Sequence, residues 1–168
     1  EVEEIRYEGY APGGVAVMVE CMTDNRTRTV AEVRHAFSKC GGNLGTDGSV
    51  NYLFAKTGVF LYAPGTDGER LLEAALEAGA DDVLGHDDQS FEVLCQPEQF
   101  YPVREQLDKA GLKADSAEVT QRPMNLIAVV GEDAERVAKL LAMLEDLDDV
   151  QNVYANAELP EDTLNRLG

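Results

Sequence analysis

The sequence predicts an α+β protein, and two patterns support that prediction. Short alternating runs separated by turn residues predict antiparallel hairpins over residues 5–21 and 50–62. From residue 59 to residue 123 the predicted order is β-α-β-β-α-β, the split βαβ pattern of a ferredoxin-like domain. The 168 residues suffice for two small domains that bury their cores without disulfides or metal.

The first hairpin is predicted from alternating runs on both sides of a turn. Residues 5–8 alternate in polarity, and the run from Val15 to Cys21 places every second residue on one apolar face. Between the two runs, Pro12 presets φ for a turn and the glycine after it accepts a positive φ.

An amphipathic helix is predicted from Thr27 to Cys40, where the apolar residues recur with helical spacing. A capping box at Thr29–Glu32 is expected to open this helix, and Gly41–Gly42 to end it. The apolar stripe comprises Val30, Val33, Phe37 and Cys40, and the polar face comprises Arg28, Glu32, His35 and Lys39. The outer face of this helix is therefore mostly basic.

The remaining elements are predicted in chain order. A glycine-rich loop, Asn43–Ser49, leads to the second hairpin, whose turn is assigned to Lys56–Gly58. Two helices, starting at Leu71 and Val103, each end in Ala-Gly and precede an Ala-Asp pair and a strand. A helix over residues 133–147, a strand over 150–154 and a frayed polar tail complete the chain.

The charge is strongly acidic but unevenly distributed. The chain has 14 Lys+Arg against 32 Asp+Glu, a formal net charge of −18, which by itself argues against phosphate backbones as partners. By segment the net charge is −2 over residues 1–62, −9 over 63–123 and −7 over 124–168. Residues 23–56 have a net charge of +2, so a basic region lies within an acidic protein. Acidic pairs such as Asp148–Asp149 are predicted to be solvent-facing turn residues.

The segment Gly41–Gly48 is the most conspicuous motif, and its orientation argues against a nucleotide site. Phosphate cradles place glycines before a helix whose N-terminal N–H groups face the anion. Here the glycines follow a helix and lead into a strand, and no lysine ends the motif. Two interpretations stay open: a compact loop that ends the helix, or a recognition loop held by rigid neighbours.

Residues for catalysis, metal binding and membrane insertion are lacking. Cys21, Cys40 and Cys95 have the spacing of neither a disulfide framework nor a metal knuckle, and they indicate free thiols in a reducing compartment. His35 and Cys40 point to different sides of one helix. His86 and Cys95 lie on adjacent predicted strands, and the sequence indicates no orienting partner for either. No apolar run approaches the roughly 20 residues that cross a bilayer. The sequence predicts no enzymatic activity, no cofactor, no metal and no membrane partner.

The basic residues of the predicted helix are the remaining binding candidate. Arg28, His35 and Lys39 share one stripe, with Arg26 before the helix and Arg34 on its flank. Such cations bind phosphates through charge-assisted hydrogen bonds. A solvated helix face explains the same residues without any partner. The patch is too small for tight binding to bare DNA at physiological salt.

Long ordered segments resemble the YebC/PmpR family. They begin with Tyr-Glu-Gly-Tyr-Ala-Pro-Gly-Gly at residues 7–14 and continue at residues 24–50, 73–83, 111–118 and 148–154. This family includes bacterial proteins described as transcriptional regulators and the mitochondrial translational activator of cytochrome c oxidase. The candidate nucleic-acid contacts that match its pattern are Asn25, Arg26, Arg28, Arg34, His35, Lys39, Asn43 and Leu44.

The resemblance also implies an architecture and a partner. It makes residues 1–62 and 124–168 one discontinuous α/β domain, with residues 63–123 as an inserted acidic ferredoxin-like domain. It implies a basic helical domain before Glu1, so the chain is expected to begin inside a longer parent. The implied partner is nucleic acid, bound mainly through that N-terminal domain. The protein is expected to be a monomer in the cytoplasm or, in a eukaryote, the mitochondrial matrix.

Three hypotheses of function follow from these observations. The leading one is a DNA-binding regulator of transcription. The first alternative is a ribosome-associated translation factor that uses the same basic surface to bind ribosomal RNA. The second alternative is a protein–protein interaction module, in which the acidic insertion binds a basic partner and the chain contacts no nucleic acid.

Overall fold

The computed structural model describes residues 1–167, with side chains through residue 164. It combines helices with mainly antiparallel sheets, so the predicted α+β class is confirmed. The chain divides into two compact units: Glu1–Ala55 together with the segment from Pro123 onward, and Lys56–Arg122. The second unit includes residues 56–62, which are predicted above to belong to the first domain.

The elements have the following bounds. The strands are β1 (Glu3–Ala11), β2 (Val15–Thr23), β3 (Asn43–Leu44), β4 (Phe54–Tyr62), β5 (Asp82–Gly85), β6 (Phe91–Cys95), β7 (Ser116–Pro123), β8 (Ile127–Ala128), β9 (Val150–Ala155) and β10 (Ala157–Glu158). The α-helices are α1 (Arg26–Lys39), α2 (Gly68–Ala78), α3 (Phe100–Lys109), α4 (Gly131–Glu145) and α5 (Glu161–Leu167). Short 3₁₀ turns occupy Pro12–Gly14, Asn51–Leu53 and Pro97–Gln99.

The first unit is built on a sheet with the order β3-β1-β2-β9. β1 pairs with β2 across the turn Pro12–Gly14, so the first predicted hairpin is confirmed. β9 pairs antiparallel with β2, with Val153 opposite Val19. One face of the sheet packs on α1 and α4, through a core that includes Val17, Phe37, Leu140 and Leu144. The pairing of β9 thus places α4 beside α1.

The second unit follows the predicted β-α-β-β-α-β order, from β4 to β7. Its sheet has the order β5-β6-β4-β7, with β6 antiparallel to both β4 and β5. This arrangement is ferredoxin-like. Both helices contribute to its core, which includes Phe60, Leu71, Val93, Val103 and Leu107.

The second predicted hairpin is wrong, because Phe54–Tyr62 is one continuous strand. Residues 51–53 before it form a 3₁₀ turn instead of a strand. Gly58, which the sequence analysis assigned to the turn, lies opposite Cys95 of β6. A Cβ at Gly58 would lie 2.6 Å from Cys95 Sγ. Glycine is therefore required here for the close approach of a neighbouring residue, not for a reversal of the chain.

The start of α1 also differs from the prediction. The N-cap is Asn25, whose Oδ1 accepts a hydrogen bond of 3.0 Å from the backbone N–H of Arg28. Thr29, assigned to the cap, lies inside the helix and is buried. The predicted capping box is wrong because an asparagine four residues earlier supplies the acceptor that a helix N-terminus needs.

The C-terminal tail is structured, so the prediction of a frayed tail is wrong. β10 pairs in parallel with β8, with Ala157 opposite Ile127. Leu159 then packs against the core of the first unit, and α5 follows. The sequence does not predict these contacts, because the tail is short and mostly polar and its few apolar residues show no clear periodicity.

Candidate nucleic-acid interface

The outward face of α1 is set by what the helix buries. Val33, Ala36 and Phe37 are buried against the sheet, which leaves the basic residues of the opposite side exposed. Asn25 fixes the first turn through its cap and also donates its own N–H to Thr23 Oγ1 at 2.9 Å. Asn25 therefore has a structural role in positioning the helix, although its side chain is exposed.

Arg28 is surrounded by carboxylates. Its guanidinium lies 2.9 Å from Asp149 Oδ2, 3.2 Å from Asp24 Oδ1 and 3.9 Å from Glu32 Oε1. The hydrogen bond to Asp149 raises the pKa of Arg28 further above its ordinary value. The charge of Arg28 is thus balanced within the protein, and it is less available to a phosphate than the sequence suggests.

Asp149 joins the turn before β9 to the start of α1. Its Oδ2 lies 2.7 Å from Thr29 Oγ1 and 3.2 Å from Thr23 Oγ1, and both threonines are buried. The hydrogen bonds from Thr29 and Arg28 hold the pKa of Asp149 below its ordinary value. Asp149 lies in a turn as predicted, but the prediction that it faces solvent is wrong, because its side chain is only 15% exposed. Its partners come from segments about 120 residues earlier, so local sequence does not reveal them.

The other cations of α1 are more accessible. Arg26 Nε lies 3.7 Å from Glu3 Oε1 in an exposed ion pair, which contributes little to stability, and the Arg26 side chain is 67% exposed. Arg34, His35 and Lys39 are exposed. The ion pairs between the side chains of residues 1–164 include none of these last three. Arg34 and Lys39 therefore present charges that the described part of the chain does not neutralise.

Asn43 and Leu44 form β3 and have different surroundings. Asn43 pairs with Tyr10 and is exposed, whereas Leu44 pairs with Gly9 and packs against the core of the first unit. A Cβ on Gly9 would lie 2.6 Å from the carbonyl oxygen of Asn43, so β3 lies close against β1. Of these two candidate contacts, Asn43 is more exposed to solvent than Leu44.

The glycine-rich loop is organised by Glu8, a residue that the sequence analysis did not single out. Glu8 is 2% exposed; its Oε2 accepts from Gly48 N–H at 2.9 Å, and its Oε1 from Val50 and Asn51 at 2.9 and 2.6 Å. Burial raises the pKa of Glu8, but these N–H donors outweigh burial and hold it below the ordinary value. Backbone N–H groups that resemble an anion site are thus already occupied by a carboxylate.

The cysteines and the other metal-ligating side chains of the described residues form no reactive-thiol or metal site. Cys21, Cys40 and Cys95 are buried, and burial raises the pKa of Cys21 to about 11, far from a reactive thiolate. Among the described residues, no group of three His, Cys, Asp or Glu side chains could hold a metal ion. Within residues 1–167, no helix is both long and apolar enough to cross a membrane.

The fold and these motifs correspond to a known family. Residues 2–157 match the family model described as the TACO1/YebC second and third domain. The chain therefore belongs to the TACO1/YebC family, and the resemblance found in the sequence is confirmed. The matched part consists of the family's second and third domains.

Individual relatives agree with this assignment. The chain is 62% identical to a probable transcriptional regulatory protein of Pseudomonas fluorescens (strain Pf0-1), over 99% of this chain and 67% of that protein. It is 61% identical to a probable transcriptional regulatory protein of Halorhodospira halophila, over 94% of this chain and 64% of that protein. The crystal structure of a conserved hypothetical protein from Aquifex aeolicus matches with a TM-score of 0.82 and 48% identity, covering 95% of this chain and 66% of that one. The chain thus spans about two thirds of the length of these relatives.

Proposed function

We propose that this chain is part of a nucleic-acid-binding regulator of transcription, and that α1 and the loop after it contact the phosphate backbone. The observation that carries the proposal is the exposure of Arg34 and Lys39 without an ion-pair partner among residues 1–164. Cations of this kind position a protein on nucleic acid through the phosphates. The names of the bacterial relatives support the regulatory role, and the corresponding location is the cytoplasm.

Three of the candidate residues have partners within the protein, so we leave them out of the proposed phosphate contacts. Arg28 is balanced by acidic neighbours, Asn25 caps the helix and Leu44 packs on the core. We therefore assign the phosphate contacts to Lys39 and to Arg34, which lies on the flank of α1 about 140° around the helix from Lys39. Arg26, His35 and Asn43 are polar neighbours. The small number of cations in an acidic protein implies weak, salt-sensitive binding by this chain alone.

The second candidate function is that of a translation factor that binds RNA. The contacts of the first turn of α1 support this candidate. Helices that read the major groove of DNA use residues of their N-terminal part. In α1 that part carries Arg28, which is held by Asp24 and Asp149. The accessible cations lie further along the helix and suit backbone contacts, which RNA and DNA both offer.

Charge reversal at two positions tests the proposal. In Arg34→Glu/Lys39→Glu, the Kd for a labelled duplex DNA of about 20 base pairs is expected to rise about tenfold or more at low salt, because two phosphate contacts become repulsive. A single-stranded RNA of equal length, titrated in parallel by fluorescence anisotropy, shows which nucleic acid binds more tightly.

The matched control is Arg104→Glu/Lys113→Glu, which makes the same charge change at exposed positions of the second unit. Its Kd is expected to stay close to that of the unmodified chain. Equal losses in both double variants would contradict a local interface, because they would reflect net charge alone. No binding of either nucleic acid by the unmodified chain at low salt would contradict the proposal for this chain.

A further inference from the structure

Two cations of α4 lie beside the end of α1, although they come from an acidic part of the sequence. Arg136, Lys139 and Met143 follow one another at spacings of three and four residues, which places them along one face of the helix. That face is turned toward the last turn of α1, because Cys40 Sγ lies 3.6 Å from Met143 Sδ. The residue before this cysteine is Lys39.

Two further observations place this face of α4 beside the end of α1. A Cβ built on Gly41, the residue after Cys40, would lie 3.5 Å from Arg136 Nη1. Burial raises the pKa of the Cys40 thiol, and the charges of Lys139 and Lys39 counteract part of that rise. Lys139 precedes Met143 by one helical turn, and Met143 contacts Cys40, so Lys139 lies on the side of α4 that faces the end of α1.

The charges at this position are only partly balanced. Arg136 forms an ion pair with Glu132, one turn earlier on α4. Lys139 and Lys39 are exposed, and the ion pairs between side chains of residues 1–164 include neither of them. Two lysines and one partly paired arginine thus form a small basic surface, which the sequence does not reveal because its parts are about 100 residues apart.

We propose that Lys39, Arg136 and Lys139 form one phosphate-binding patch, here called the α1–α4 patch, which binds the nucleic-acid backbone through both segments of the first unit. This inference rests on the proposed function and extends the interface from α1 to α4. Lysine supplies point charges and arginine a planar fork, and both suit phosphate oxygens. The patch contacts backbone rather than bases, so its contribution is independent of nucleotide sequence.

The patch also requires the fold of the whole first unit. α4 lies next to α1 because β9 pairs with β2 and because both helices pack on the same face of the sheet. A surface of α1 alone would lack Arg136 and Lys139. The distinguishing claim is therefore that α4 contributes to binding as much as the end of α1 does.

Single charge reversals separate this inference from the proposed function. We expect Lys139→Glu to raise the Kd for labelled single-stranded RNA or duplex DNA of about 20 nucleotides or base pairs by about tenfold at low salt, as Lys39→Glu does. The slope of log Kd against log salt concentration is expected to fall by about one in each variant. The matched control is Lys113→Glu, an exposed lysine of the second unit.

Each outcome bears on a different claim. Weaker binding by both Lys39→Glu and Lys139→Glu, with Lys113→Glu unchanged, supports the α1–α4 patch. If Lys39→Glu weakens binding while Lys139→Glu matches Lys113→Glu, the patch is overturned and the interface on α1 stands. If none of the three variants differs from the unmodified chain, the patch is overturned and so is the role of Lys39 in the proposed function. Circular dichroism of each variant confirms that the loss of binding does not come from unfolding.

Discussion

Replacing Glu8 with alanine is expected to lower the free energy of unfolding by about 3 kcal/mol, because buried backbone donors lose a charged acceptor. The donors are the N–H groups of Gly48, Val50 and Asn51, and Val50 is fully buried. The glycine-rich loop is expected to open locally as well. Chemical denaturation measures the first effect, and amide hydrogen exchange at Gly48, Val50 and Asn51 measures the second.

Glu4→Ala is the matched control, since Glu4 lies on the same strand and its side chain is exposed. This control is expected to change the free energy of unfolding by less than about 0.5 kcal/mol. Equal denaturation midpoints for Glu8→Ala and Glu4→Ala, with unchanged exchange in the loop, would show that the carboxylate does not hold the loop.

The Glu8 carboxylate also makes stability depend on pH in a defined direction. Its pKa in the folded protein is below the ordinary value of 4.5, so the unfolded chain binds the proton more readily. The stabilisation is therefore complete above that value and is lost as the pH falls through the lower folded pKa. The difference in stability between the unmodified chain and Glu8→Ala is expected to shrink over the same acidic range.

Thr29→Val is expected to lower the free energy of unfolding by about 1–3 kcal/mol, because a buried hydroxyl that faces a carboxylate is removed at nearly constant volume. The loss weakens the connection between α1 and the turn before β9. Since the hydrogen bond from Thr29 lowers the pKa of Asp149, the stabilisation is present above the ordinary value of 3.8 and is lost at more acidic pH.

Thr27→Val is the control for this substitution, because Thr27 belongs to the same helix and is exposed. Denaturant unfolding of both variants at neutral pH and near pH 3 measures the effect. A variant Thr29→Val that is as stable as Thr27→Val at neutral pH would rule out the Asp149 contact as a stabilising element.

Local patterns in the sequence were sufficient for most of the elements. Alternation predicted the β1–β2 hairpin, helical spacing predicted α1 and α4, and the paired Ala-Gly helix ends predicted the order of the second unit. Local patterns failed where a residue type is required by a neighbour that is distant in the sequence. Glycine at position 58 suggests a turn, yet it is required because the side chain of Cys95 on the adjacent strand leaves no room for a Cβ.

The candidate nucleic-acid interface could be predicted only where it depends on local spacing. The basic face of α1 follows from helical spacing, and Arg34 and Lys39 are exposed as expected. The balance of Arg28 by Asp149 and the position of α4, with Lys139, beside the end of α1 depend on the return of the chain through β9. No local spacing contains that information. The net charge of −18 likewise describes the whole chain and does not show that Lys39, Arg136 and Lys139 lie near the junction of α1 and α4.

Whether α1 and α4 together contact nucleic acid is tested most directly by amide hydrogen exchange. The 168-residue chain is compared with and without a nucleic acid of about 20 nucleotides at low salt. On binding, residues 34–43 and 136–143 are expected to exchange more slowly, with residues 56–122 unchanged. Protection confined to residues 56–122, or no protection in any segment, would contradict this expectation.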